Sequence, residues 1–133
     1  MSSLIAVRIE TDEGAVPLLA QMSYSVDDPY AVQADFSDGL TVLASWRFDR
    51  QMLAEGVHRP VGEGDATFRP HRGPSGDEVR IGLRNGGDGR GGHAVLFADA
   101  GALRGFLDRT YAVVGDGDEF LDLDKLLEEF LAR

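Results

Sequence analysis

The sequence contains no cysteine. Disulfide staples, thiolate metal sites and cysteine nucleophiles are therefore all excluded. The absence also fits a reducing compartment. Lysine is nearly missing too, since every basic residue except Lys125 is arginine. Basic side chains number 13 against 23 acidic ones, for a formal net charge of -10. A phosphate backbone repels such a surface, so nucleic acid is not an expected partner. No stretch approaches the roughly 18 apolar residues of a membrane span, so no membrane insertion is expected. The N-terminus runs Met1-Ser2-Ser3-Leu4-Ile5-Ala6-Val7 and then meets Arg8 and Glu10, without the basic-then-apolar layout of a signal peptide. The expected location is the cytoplasm.

The motifs of catalysis are also lacking. The three histidines, His58, His71 and His93, are spread without the His-x-x-x-His spacing that brings zinc ligands together. No serine sits in a Gly-x-Ser-x-Gly elbow. The glycines at 86, 87, 89, 91 and 92 are not followed by the lysine of a phosphate-binding loop. Asp116, Asp118, Asp122 and Asp124 do not reach the spacing of a calcium loop, and Asp122 reads more simply as a helix cap. The expectation is no catalytic residue, no metal and no cofactor. Two local basic groupings stand out, Arg69, His71 and Arg72, and then Arg80 and Arg84. Against so many carboxylates they read as ion-pairing or solvated arginines before they read as a nucleic-acid footprint.

What is present is a patterned chain of 133 residues, the length of one domain, expected to span 1–133. Ile5, Val7 and Ile9 alternate with polar neighbours, as do Leu18, Ala20, Met22 and Tyr24. Tyr30, Val32, Ala34 and Phe36 predict the apolar face of a third strand. Leu40, Val42, Ala44, Trp46 and Phe48 predict that of a fourth. Turns at 12–14, 27–29 and 37–39 make these four an antiparallel meander. Asp49 can cap a short helix over 51–55, with Gly56 as its stop. Further strands are expected at 65–69, 78–83 and 93–97. Two helices close the chain. The first, capped by Asp99, carries Leu103, Phe106, Leu107, Thr110, Tyr111 and Val114 as one stripe. The second carries Leu123, Leu126, Leu127, Phe130 and Leu131, which can cover the sheet of its own chain or form a subunit interface with a neighbour. The class is α+β, with about seven antiparallel strands, a short mid-chain helix and two C-terminal helices.

Two segments carry a family likeness. One is Asp28-Pro29-Tyr30-Ala31-Val32. The other runs from Trp46-Arg47-Phe48-Asp49-Arg50 through Leu53, Gly56 and Pro60 to Gly64-Asp65. The second resembles the W-x-F-x-R-x-L-L-x-x-G-x-x-x-P-x-G-x-G-D core of SsgA-like proteins, with Met52 in place of the first leucine. Phe106-Leu107-Asp108-Arg109-Thr110 resembles the F-L-x-x-T helix of the same family. Physically these residues read as fold-determining: Trp46 and Phe48 facing the core, Leu53 anchoring the helix, Gly56, Pro60 and Gly64 shaping its exit. Truncating Trp46 to alanine is accordingly expected to cost about 3–5 kcal/mol. The resemblance implies a Whirly-like fold, a homotrimer, and a non-enzymatic role at the septum in sporulation-specific cell division. It implies protein partners, either other SsgA-like proteins or the tubulin-like division protein FtsZ, which the SsgB-like branch brings to septum sites. The Whirly-like fold also suggests the alternative of a single-stranded nucleic-acid-binding module.

Overall fold

The computed structural model describes residues 1–62, 64–85, 92–119 and 127–132. Seven strands form one sheet, β1 (Ser2–Thr11), β2 (Gly14–Ser23), β3 (Ala31–Ser37), β4 (Val42–Asp49), β5 (Ala66–Gly73), β6 (Gly76–Arg84) and β7 (His93–Asp99). Helix α1 (Arg50–Gly56) follows β4, and α2 (Ala100–Val113) follows β7. Residues 127–131 are also helical. The spatial order is β4-β3-β2-β1-β7-β6-β5 with every neighbouring pair antiparallel. The sheet is thus two meanders, β1 to β4 and β5 to β7, joined where the first strand meets the last.

Period-two alternation sets the core face. Ile5, Val7, Leu18, Ala20, Met22, Val32, Ala34 and Phe36 are buried in the first meander. Phe68, Val79, Ile81, Leu83, Leu96 and Ala98 are buried in the second. The α2 stripe of Leu103, Phe106, Leu107 and Thr110 packs on this face, with Phe106 fully buried. Both helices begin as the sequence indicates: the Asp49 carboxylate accepts from the Met52 amide at 2.8 Å, and the Asp99 carboxylate from the Ala102 amide at 2.8 Å. Each satisfies a donor that the first turn would otherwise leave unpaired.

Four expectations change. Strand β5, expected to end at 69, runs on through Gly73 and is closed by a tight turn at Pro74-Ser75. Tyr30 precedes β3 and is 46 % exposed. The first half of β4 is not a core face: Leu40, which precedes the strand, and Val42 and Leu43 are exposed, because α1 packs on β5 and on the β4 strand that it follows, leaving the start of this edge strand uncovered. Trp46 is only partly buried at the rim of the core, unlike Phe48 two residues on. Asp122, Leu123 and Leu126 lie outside the described residues.

Candidate interaction surfaces

The two segments that carry the family likeness fold against each other. The Asp28 carboxylate accepts from Arg47 at 2.8 Å. The Pro29 carbonyl accepts from the Tyr24 hydroxyl at 2.9 Å, and the Tyr30 carbonyl accepts from the Arg50 amide at 2.8 Å. Trp46 stacks on Phe48 with ring centroids 6.3 Å apart, and Phe48 meets Phe68 edge-on at 5.1 Å. Leu53 is fully buried. Gly56 ends α1, but its role is not a left-handed turn: a Cβ there would lie 2.3 Å from Phe68 Cβ, so glycine lets the helix lie against β5. Pro60 is exposed in the exit from the helix. Gly64 holds φ at +74°, a region glycine occupies without strain, and the following Asp65 carbonyl accepts from the Arg84 amide at 2.8 Å.

Arg50 is the organising residue of this corner, and the sequence reading gave it no role of its own. Its side chain is 1 % exposed. Nη1 donates to the carbonyls of Thr110 at 3.1 Å and Val114 at 2.7 Å, and Nη2 donates to Glu119 at 2.6 Å. The cation thus satisfies the Val114 carbonyl just past α2 and adds a second donor to the Thr110 carbonyl, which already accepts from the Val114 amide at 3.0 Å, at a helix end where the dipole also favours positive charge. The guanidinium lies 4.0 Å from the Tyr111 ring centre and 5.0 Å from that of Tyr24. The Glu119 carboxyl is held below the ordinary carboxylate range, chiefly by the hydrogen bond from Arg50. Burial pushes the Tyr111 phenol up, with Arg50 opposing. Only the arginine of the W-x-F-x-R segment, placed between a helix cap and a buried leucine, marked the position in advance.

Among the described residues two groups of exposed apolar side chains stand together. The β3–β4 hairpin presents Leu40, 96 % exposed, beside Val42 and Leu43. Its tip is well fastened. The Asp38 carboxylate accepts from the Leu40 and Thr41 amides at 2.9 Å each, which holds its pKa below the ordinary carboxylate range. Behind the tip a groove of about 760 Å³ runs between β4 and the ends of β6 and β7, floored by Ile9, Leu18, Phe36, Leu43, Trp46 and Leu96. Arg47, Asp65, Arg84 and His93 stand among its polar lining. The second surface is the helical segment at 127–131, where Leu127, Phe130 and Leu131 are all more than half exposed and so do not cover the sheet of their own chain.

The histidines do not converge. His58 is exposed beside α1, while His71 packs on Phe97 at 4.6 Å between ring centres. Among the described residues no three histidines or carboxylates are grouped to hold a metal ion. Among the same residues no helix is long and apolar enough to cross a membrane.

Residues 18–119 match the family model described as Streptomyces sporulation and cell division protein, SsgA. The sporulation-specific cell division protein SsgB of Streptomyces coelicolor is 40 % identical over 127 residues, covering 94 % of this chain and 90 % of that protein. SsgB of Thermobifida fusca is 37 % identical over 126 residues, covering 93 % and 88 %. A solved SsgB structure from Streptomyces coelicolor superposes with a TM-score of 0.82 at 38 % identity, over 91 % of this chain and 93 % of that one. An SsgA-like sporulation-specific cell division protein from Thermobifida fusca superposes with a TM-score of 0.86 at 32 % identity, over 100 % of this chain and 95 % of that one. The short helix with its buried arginine, the two meanders and the matched segments have one common source: this chain belongs to the SsgA family.

Proposed function

We propose that this protein is a non-enzymatic regulator of sporulation-specific cell division that positions or promotes septum formation by binding other proteins. The observation that carries the reading is the fastened β3–β4 hairpin, which holds Leu40, Val42 and Leu43 in solvent beside an apolar groove. A soluble domain gains nothing from a rigid, exposed apolar tip on an edge strand unless something covers it. Its relatives bear the name sporulation-specific cell division protein, which supplies the setting. The work belongs at the cytoplasmic face of the septum, with FtsZ or other SsgA-like proteins as partners. A homotrimer gives the apolar segment at 127–131 its neighbour.

The test is co-sedimentation with polymerised FtsZ, with labelled single-stranded DNA as a parallel probe, and light scattering for the assembly state. Pelleting without DNA retention, and a mass three times that of the chain, support the reading. DNA retention without pelleting would turn it toward a nucleic-acid module. A stable monomer at micromolar concentration would remove the trimer.

A further inference from the structure

Of the ten arginines among the described residues, two lie on α2, Arg104 without an ion pair and Arg109 donating to Ser3, and the other eight fall into two groups. Arg8, Arg47, Arg50, Arg59 and Arg72 each stand in an ion pair with a carboxylate. Arg69, Arg80 and Arg84 have no ion pair or side-chain hydrogen bond among the described residues. These three lie together. Arg69 is directly opposite Arg80 in the β5–β6 register, and Arg84 is opposite His93 in the β6–β7 register. Residues 80, 82 and 84 share the face of β6 that points away from the buried Val79, Ile81 and Leu83. Like charges facing each other across an antiparallel pair are unfavourable. A chain with 23 acidic residues has nonetheless left these cations unmatched.

Gly82 lies between Arg80 and Arg84 on this face, beside a recess that Arg69 does not line. Gly82 has no side chain, and a Cβ there would come within 2.6 Å of Thr67 Oγ1. The Thr67 hydroxyl stands over the glycine, and the recess beside it, about 160 Å³, is lined by Thr67, Arg80, Gly82, Arg84 and His93, with Asp65 its one carboxylate among the described residues. Two guanidinium groups, a hydroxyl and an imidazole are donors suited to an oxyanion. The volume is that of about five waters, enough for one carboxylate or phosphoryl group and too little for a nucleotide. Arg84, His93 and Asp65 line the apolar groove as well. A bound peptide can therefore lay apolar side chains in the groove and reach the recess with an acidic one.

We propose that this recess is an oxyanion subsite that takes an acidic side chain, carboxylate or phosphoryl, from a partner protein. The inference rests on the protein-binding reading above and adds the partner's chemistry to it. The single-group volume favours one acidic side chain over a nucleotide of a nucleic-acid strand.

The test is an amide NMR titration of the full chain with three probes: a hexaglutamate peptide, a neutral hexapeptide bearing one phosphoserine, and a short thymidine oligonucleotide. Saturable shifts at the amides of Thr67, Gly82, Arg84 and His93 are expected with an acidic peptide. The Arg80→Ala, Arg84→Ala double variant should weaken that binding about tenfold or more, with its melting temperature unchanged. Response to hexaglutamate alone assigns the carboxylate source, and response to phosphoserine alone the phosphoryl source. No shift at these amides with either peptide overturns the subsite, as does an oligonucleotide that moves them at lower concentration. The two readings fail separately. A wild-type chain that neither pellets with the polymer nor self-associates counts against the protein-binding function, whereas a silent titration removes the recess alone.

Discussion

Arg50 carries its charge into the core because both ends of its fork are compensated, by two helix-end carbonyls and one carboxylate, and its faces by two aromatic rings, while the buried Nε is left without a hydrogen-bond partner among the described residues. That set suits a planar fork and not a point charge. Arg50→Lys should therefore behave much like a deletion, losing about 3–5 kcal/mol in chemical denaturation; a near-wild-type midpoint would show that charge alone suffices. The Glu119 arm makes the clamp sensitive to acid. Its carboxyl has a lower pKa folded than unfolded, so the stabilisation is complete above the unfolded carboxylate range and is lost as pH falls through the folded value. Glu119→Gln should flatten the acid side of the melting temperature against pH. Gly56→Ala puts a methyl group against Phe68 and should cost about 1–3 kcal/mol through overpacking, readable in a denaturant midpoint. The motif glycine was legible as important, but its reason was not. A helix-stop and a close-contact glycine look alike in sequence, and only the approach of β5 tells them apart. The arginine was harder still, since no local pattern announces a buried cation whose partners lie about sixty residues away.

At the level of elements, alternation and caps located nearly every strand and helix, because side-chain periods of 2 and 3.6 are properties of the backbone. What alternation cannot say is whether anything covers the face it defines. Strand β4 is the instructive case. Trp46 and Phe48 occupy one face of it, yet Phe48 is buried against Phe68 and Trp46 stands at the open groove. Trp46→Ala should accordingly cost about 2 kcal/mol, below the full core value, whereas Phe106→Ala should cost about 3–5 kcal/mol. Equal losses in thermal melts would put Trp46 back in the core. Leu40 separates stability from binding more sharply. Leu40→Asp should leave the melting temperature within a degree or two and abolish polymer pelleting if the hairpin tip makes the contact. The unpaired cations of β5 and β6 were visible in sequence as two local groupings, and only strand register showed them to be one.

Across the whole molecule, the α+β class and the first meander were readable from the order of turns, but the pairing of the later strands and the join between the two halves were not, since nothing local tells β1 to seek β7. The β1–β2 register runs from Ser2–Ser23 to Thr11–Gly14, while the join to β7 pairs only Val7–Ala98, Arg8–Phe97 and Ile9–Leu96. Arg8 reinforces it by lying 4.6 Å over the Phe97 ring and pairing with Glu78 on β6. Replacing Arg8 with methionine keeps the apolar stem and removes the tie. Hydrogen exchange should then speed up at the amides of Ile9 and Phe97 before those in the middle of β2; uniform acceleration would mean that the sheet opens as a whole.

The meeting of first strand and last also sets a timetable for synthesis. Strands β1 to β4 leave the ribosome first, and they can pair among themselves. The inner edge of β1 has nothing beside it until β7, ending at Asp99, has been made. The helix that roofs the core follows later still. Until β7 and α2 have been made the chain is a half-sheet with an open margin and an unroofed apolar face, so its exposure to chaperones and to mispairing with a neighbouring nascent chain is governed by how quickly the stretch from β5 through α2 is translated.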